Sequence, residues 1–245
     1  MTNELKTELI KNYREKEGAF TEVVPSLIKE GYKIYNLADY MRLRIAAIKI
    51  KHEYSINNPN FNDNEVKSFV DRKFDTLDGL IDYENNLFID PNSKFLAGIN
   101  RDSKFDEMGN LIMDKELFYD EVFNNNSYKK FNKTEILEDN EKLSNHHSRH
   151  WAKGDRLLIE FIQSMGYDQE FLNIYVDSVL AEMDWREKSY NEMFKWQLQK
   201  DKKLMPVISN LTIMHLDLGS NFVADGGLNE DGSRLIGYNS SGVIL

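Results

Sequence analysis

The stretch from Asp168 to Met205 has the pattern of one long helix, and it constrains the fold more than any other part of the chain. Asp168 can act as an N-cap, Glu170 supplies the charge that a helix N-terminus favours, and Pro206 cannot continue helical hydrogen bonding. Between these ends, apolar side chains recur at steps of three, four and seven, at Leu172, Val176, Val179, Met183, Tyr190, Phe194 and Leu198. The pattern predicts a single helix about 55 Å long, since each residue adds about 1.5 Å.

Such a helix would carry apolar side chains on more than one side. The large ones off the main stripe are Phe171, Ile174, Tyr175, Trp185 and Trp196. One packing partner would not cover both sides, so we expect a second partner, such as another copy of the chain. The residues predicted at that interface are Val179, Met183, Trp185, Phe194 and Trp196. The alternative is a pair of shorter helices in an ordinary bundle, with a break near Asp184 to Glu187.

The rest of the chain predicts a mainly α fold with a smaller β part, a helical bundle that includes the long helix at about 168–205. Four regions are expected: an N-terminal helical region (1–81), a β-like or irregular arm (82–132), a helical region containing the long helix (133–205), and a strand followed by a glycine-rich segment (206–245). In the first region, Asn36 caps a helix, and an amphipathic helix runs from residue 62 or 63 to 81. In the arm, a hairpin is expected around Gly109, and residues 210–218 alternate as a strand does.

Composition excludes several classes of function. The chain has no cysteine, so disulfides, thiolate zinc sites and cysteine nucleophiles are excluded. Its net charge is −10, from 41 acidic and 31 basic side chains, and such a surface repels a phosphate backbone. The start has no apolar signal region and no later apolar run is long enough to span a membrane, so we expect a soluble protein that is not exported by a standard signal.

Basic side chains are concentrated on the helix that follows Asn36. They are Arg42, Arg44, Lys49 and Lys51. We interpret them as a solvated helix face, and the alternative is a contact with phosphate or with an acidic partner.

A histidine cluster is the main candidate for a metal site. His146, His147 and His150 hold three of the five histidines, and on a helix His146 and His150 would share one face and could bind one metal. Further ligands could come from Glu138, Asp139, Glu141 or Asp155. The intervening Ser148 and Arg149 supply no general base, so the metalloprotease motif is absent. We therefore favour a surface or interface cluster over a metal site.

Other catalytic signals are weak. Carboxylate pairs such as Asp75 with Asp78, or Asp106 with Glu107, arise by chance in an acidic chain. The sequence has no phosphate-binding loop, no Gly-x-Ser-x-Gly turn and no zinc-finger spacing. We predict no catalytic residue, no cofactor and no enzymatic activity.

The order of these features resembles the lower collar, or head-to-tail connector, proteins of small short-tailed bacteriophages of low-GC bacteria. The resemblance rests on the helices before an irregular arm, the long helix stopped at Pro206, the alternating strand at 210–218 and the final residues RLIGYNSSGVIL. It implies a twelve-subunit ring under the portal, with β segments forming a tube around an axial channel through which DNA leaves without sequence-specific binding. The implied partners are other copies of the chain, the portal protein and a distal tail protein, in a virion made in the host cytoplasm.

Two other functions remain open at this point. The first is a small metal-dependent enzyme or regulatory protein that uses His146, His147 and His150. The second is an all-helical interaction module with no role in assembly.

Overall fold

Two β-sheets organise the described part of the chain. The computed structural model describes residues 13–57, 64–143, 153–185, 196–197, 200–213, 222–225 and 227–239. The helices are α1 (Phe20–Lys29), α2 (Leu37–Asn57), α3 (Asn64–Asp71), α4 (Lys94–Ala97), α5 (Lys115–Phe118), α6 (Lys133–Leu143), α7 (Arg156–Ser164) and α8 (Gln169–Trp185), and a π-helical turn at Tyr119–Phe123 follows α5. The strands are β1 (Tyr13–Gly18), β2 (Tyr32–Ile34), β3 (Phe74–Glu84), β4 (Asn86–Asp90), β5 (Leu111–Ile112), β6 (Lys130–Asn132), β7 (Trp196–Gln197), β8 (Lys203–Ile213), β9 (Phe222–Asp225) and β10 (Ser233–Asn239).

The larger sheet is built around β3 and β8. Its strand order is β6-β4-β3-β8-β9-β7, and β5 also pairs with β8. The pairs are antiparallel except for β7 with β9. A two-residue turn connects β3 to β4, and Glu84 adopts a positive φ of 54° in it. This sheet separates the two hydrophobic clusters of the described core.

The smaller sheet joins the two ends of the described chain. Its order is β1-β10-β2, with both pairs antiparallel. Two hydrogen bonds tie it to the rest of the core. The Arg234 N–H donates to Asp75 Oδ2 at 2.8 Å, and the Ile236 N–H donates to Tyr40 Oη at 2.7 Å. The last described strand therefore completes a sheet that the first described strand begins.

Helix α2 is buried on nearly every side because it packs against α3, α8 and the larger sheet. This burial includes Arg44, which is 1% exposed and donates to Tyr175 Oη at 3.3 Å and to the Arg72 carbonyl at 2.9 Å. The interpretation of Arg44 as part of a solvated basic face is therefore wrong. Lys49, in contrast, is exposed. A buried guanidinium group can donate its hydrogen bonds to fixed acceptors of the protein instead of to water. Sequence periodicity does not reveal such acceptors.

The fold is mixed α/β, so the prediction of a mainly helical bundle with one very long helix is wrong. Helix α8 is described as far as Trp185, and Met205 and Pro206 lie in β8 rather than at a helix end. Proline is tolerated there because the pairing of β8 with β3 shifts register between Asp82 and Glu84, beside Pro206. On the opposite edge of β8, the Met113 N–H donates to the Pro206 carbonyl at 2.9 Å.

The helix predicted up to residue 81 is helical only in its first half. Helix α3 covers 64–71, and β3 begins at Phe74. Nearly every residue of β3 is buried, so its two faces do not alternate between apolar and polar side chains as the usual strand signal requires. The predicted arm at 82–132 contributes β4, β5 and β6 to the larger sheet.

Two local predictions are confirmed. The Asp39 N–H donates to Asn36 Oδ1 at 2.8 Å, so Asn36 caps α2. Around Gly109, which has a φ of 76°, Phe105 forms a β-bridge with Leu111. Both signals depend on the local chemistry of turns and caps, which a sequence shows directly.

Gly237 provides a test of the smaller sheet. A Cβ added to Gly237 would lie 2.7 Å from Tyr32 Cβ and 3.3 Å from Leu27 Cδ2. We expect Gly237→Ala to lower the free energy of unfolding by about 1–3 kcal/mol, since β2 and α1 must shift to admit the methyl group. Gly154→Ala is the matched control because no atom lies within 4 Å of its added Cβ. Urea unfolding followed by circular dichroism measures both, and equal stabilities would contradict the close approach.

None of the described helices is long and apolar enough to cross a membrane.

Candidate interaction surface and polar cleft

An exposed aromatic surface follows α5. Asp114 caps this short helix by accepting hydrogen bonds from the Glu116 and Leu117 N–H groups at 2.9 and 3.1 Å. Phe118 and Val122 are buried and anchor the segment to the core. The π-helical turn then places Tyr119 and Phe123, four residues apart, on the outside.

Three apolar side chains of this segment are exposed. Leu117, Tyr119 and Phe123 are 38–43% exposed, and the Tyr119 and Phe123 ring centroids lie 5.2 Å apart. We call these three residues the aromatic surface. Tyr83 contacts it from β3, with its ring centroid 6.2 Å from that of Tyr119. At the start of β8, which contacts α5, Leu204 and Met205 are also exposed, Leu204 by 82%.

Two lysines lie over rings at this surface. Lys130 Nζ is 4.6 Å from the Phe123 ring centroid, and Lys115 Nζ is 5.6 Å from that of Tyr83. Within the described residues, neither ammonium group has a carboxylate partner within salt-bridge distance. Exposed apolar side chains grouped in this way usually mark a site of protein interaction.

A polar cleft of about 210 Å³ lies where the two sheets meet. Its lining residues are Lys73, Asp75, Asn210, Gly227, Glu230, Asp231, Gly232 and Ser233. Asp75, which is 2% exposed, is the most firmly held. Its Oδ1 accepts hydrogen bonds from Thr212 Oγ1 at 2.6 Å and Asn210 Nδ2 at 3.2 Å, and its Oδ2 accepts the bond from Arg234 that joins the sheets.

Asp75 has a structural role. Burial raises the pKa of this carboxyl, while Lys73 and the hydrogen bonds from Thr212 and Arg234 oppose the rise. Lys73 Nζ lies 3.8 Å from Oδ1, beyond hydrogen-bond distance. Three donors from β8 and β10 therefore fix the carboxylate, and it holds the two sheets together beneath the cleft.

Asp78 is a second buried carboxyl with a structural role. It is fully buried, and it accepts hydrogen bonds from the Leu37 N–H at the start of α2 and from the Asn92 N–H at 2.8 Å. Burial raises the pKa of Asp78 to about 7, although these two N–H groups lower it and Asp39 and Asp90 raise it further. With no exposed surface, this group cannot contact a substrate. It joins β3, the N-terminus of α2 and the turn after β4.

Most of the predicted site residues fall outside the described structure. The cluster His146, His147 and His150 and the predicted interface residue Phe194 lie outside the described residues, as do the side chains of Met183, Trp185 and Trp196. Val179 is fully buried within the core of its own chain. Among the residues described, no group of three histidine, cysteine, aspartate or glutamate side chains could hold a metal ion.

Sequence reasoning missed the aromatic surface and the cleft for different reasons. Leu117, Tyr119 and Phe123 lie in the acidic stretch predicted as a β-like or irregular arm, and the sequence signal for a helix there is Asp114 as a cap before a short apolar run. The cleft combines Asp75, Asn210 and Ser233, which are far apart in sequence. Only the pairing of β3 with β8 and the position of β10 bring them together.

Comparisons with known proteins identify the fold and not the family. No protein-family model matches this sequence, and no curated protein matches it. A solved structure described as "Accommodation of massive sequence variation in Nanoarchaeota by the C-type lectin fold" is similar, with a TM-score of 0.56 and 11% sequence identity. The match covers 94% of this chain and 99% of the other. At that identity the likeness extends to the fold alone, and this chain therefore has a C-type lectin-like α/β fold.

Proposed function

We propose that this chain is a virion structural protein of the lower collar type. It would form an oligomeric ring that connects the portal to the tail and surrounds an axial channel for genome ejection. The observation that carries the proposal is the aromatic surface, because protein interfaces are enriched in exposed aromatic side chains of this kind. The resemblance of the sequence to collar proteins indicates which partners these are: other copies, the portal protein and a distal tail protein.

The charge of the chain supports this role. A net charge of −10 repels phosphates at long range, so DNA would pass along an acidic channel wall without adhering to it. A protein that held nucleic acid tightly would need a basic surface instead.

The buried carboxylates also support a structural role. Asp75, Asp78 and Asp82 each accept hydrogen bonds from groups of their own chain, and each connects separate elements of the fold.

Assembly in solution tests the proposal. We expect light scattering to give a molar mass several times 28.7 kDa, and negative-stain images of the same fractions to show rings, alone or after addition of the portal protein. Phe123→Asp should lower that mass, because a charge would replace an apolar contact. Met108→Asp is the matched control, since Met108 is also exposed but lies in a separate turn. A monomer at every concentration that also fails to bind the portal protein would refute the proposed function.

A further inference from the structure

The polar cleft between the two sheets contains a hydrogen-bond acceptor that the protein leaves unused. Asn210 lines the cleft and is 2% exposed. Its Nδ2 donates to Asp75 Oδ1 at 3.2 Å and to Thr212 Oγ1 at 3.5 Å, and these contacts set the orientation of the amide. Within the described ranges its Oδ1 accepts no hydrogen bond, and the protein does not enclose that atom. A nearly buried acceptor therefore faces the cleft without a donor from the chain.

Ser233 adds a second unused group. It lines the same cleft and is 9% exposed, and its hydroxyl forms no hydrogen bond with any residue that the structure describes. Asn210 belongs to β8 and Ser233 to the start of β10, so the two groups come from different sheets. Gly227 and Gly232 also line the cleft, and neither adds a side chain that would occupy the space.

The cleft carries more negative than positive charge. Its lining includes the carboxyl groups of Asp75, Glu230 and Asp231 and the ammonium group of Lys73. Glu230 and Asp231 are exposed, and neither has a cationic partner in the described part of the chain. Lys73 lies on the side of Asp75, with Nζ 3.8 Å from Oδ1. A cation in the cleft is therefore repelled on the side of Lys73 and attracted on the side of Glu230 and Asp231.

Two observations limit the kind of cation. Among the described residues, no group of three histidine, cysteine, aspartate or glutamate side chains could hold a metal ion, so these carboxylates do not converge on one point. The cleft has a volume of about 210 Å³, which admits more than one water molecule but is below the roughly 300 Å³ of pockets for drug-sized ligands. It therefore suits a small organic cation or the end of one side chain.

We propose that the cleft binds a guanidinium group. A guanidinium is planar and carries five N–H donors, so it can donate at once to Asn210 Oδ1, to Ser233 Oγ and to a carboxylate of Glu230 or Asp231. An ammonium group is a compact, strongly hydrated charge, so it gives up more hydration on entering the cleft. The guanidinium comes from a free alkylguanidine or from an arginine side chain of another protein. The inference does not depend on the proposed ring, since the cleft and the aromatic surface share no residue.

Saturation-transfer NMR tests this inference on the full chain, because it observes the small molecule whatever the size of the protein assembly. We expect ethylguanidinium to bind with a Kd about tenfold lower than that of ethylammonium, and acetate not to bind. Glu230→Gln combined with Asp231→Asn should raise the Kd of ethylguanidinium about tenfold, and Ser233→Ala about threefold. Asp102→Asn is the matched control, since it removes an exposed carboxylate outside the cleft and should leave the Kd unchanged.

A tripeptide with arginine between two glycines separates the two sources of the guanidinium. Tighter binding of the peptide than of ethylguanidinium would indicate an arginine side chain of another protein, and weaker or equal binding would indicate a free alkylguanidine. The inference would be overturned by absence of saturation transfer to ethylguanidinium, by equal affinity for ethylammonium, or by a Kd that the Glu230→Gln and Asp231→Asn pair leaves unchanged. Light scattering of the same variants measures assembly separately, so none of these results decides the proposed function.

Discussion

Replacing Lys133 with methionine is expected to lower the free energy of unfolding by about 3–5 kcal/mol. The Lys133 side chain is 2% exposed, and its ammonium group lies 2.5 Å from Asp82 Oδ2 and donates to the Asp201 carbonyl at 2.7 Å. Removal of the ammonium leaves the Asp82 carboxylate buried without its counter-charge, and such uncompensated charges are among the most costly single changes. Urea unfolding followed by circular dichroism measures the loss.

A double substitution separates the charge from the packing. Asp82→Leu combined with Lys133→Met should return the stability to within about 1 kcal/mol of the original, because both charges leave the core together. Asp82 Oδ1 has no hydrogen-bond partner among the described residues, so little is lost with the carboxylate. Lys104→Met, at an exposed position, is the control and should change stability little. A double variant as unstable as Lys133→Met would show that the pair itself stabilises the fold.

The protein is expected to be more stable at pH 5.5 than at pH 7.5. Burial raises the pKa of Asp78 from an ordinary value near 3.8 to about 7, so the folded chain binds a proton more tightly than the unfolded chain does. Stability is therefore lost as the pH rises from about 4 to about 7. The titration of Asp78 alone accounts for a loss of about 2 kcal/mol in the free energy of unfolding between pH 5.5 and pH 7.5. The raised pKa values of Asp39, Asp75, Asp82 and Asp90 act in the same direction.

Asp78→Asn is the variant that tests this assignment. The amide should reduce the dependence of stability on pH, although it also weakens one of the hydrogen bonds from Leu37 or Asn92 and lowers stability overall. Asp102→Asn, at an exposed carboxylate, should leave the dependence unchanged. Urea unfolding at three pH values between 5.5 and 7.5 gives the slope for each protein. A slope that Asp78→Asn leaves unaltered would assign the effect to other groups.

Local chemistry was predictable from the sequence, and pairing over long distances was not. Asn36 as a cap and the hairpin at Gly109 follow from side chains within a few positions. The strand β3 was missed because Asp75, Asp78 and Asp82 are buried polar residues with fixed partners, so the strand lacks the alternation that marks a half-exposed strand. The residues of β8 that pair with β3 are distant in sequence, and no short-range sequence pattern predicts that pairing.

The prediction of one long helix is wrong for a related reason. The apolar residues predicted between 168 and 185 do lie on α8, but the predicted stripe extended to Met205 and so covered the start of β8 at Lys203. Apolar residues spaced three or four apart can continue by chance beyond the end of a helix when the strand that follows has no clear alternation of apolar and polar residues. The aromatic surface could not be predicted because its exposure depends on which neighbouring residues are buried, here Phe118 and Val122. Exposure is a property of the packed chain.

The pairing of β1 with β10 sets the order of events during synthesis. The strand at 13–18 leaves the ribosome well before its partner at 233–239. Until then β1 has an unpaired edge, and the hydrogen bond from Arg234 that fixes Asp75 cannot form. Contacts between such distant segments form late because the intervening chain must first be ordered. Nascent and truncated chains therefore cannot close the smaller sheet, and only a chain that includes its last described strand can complete the fold.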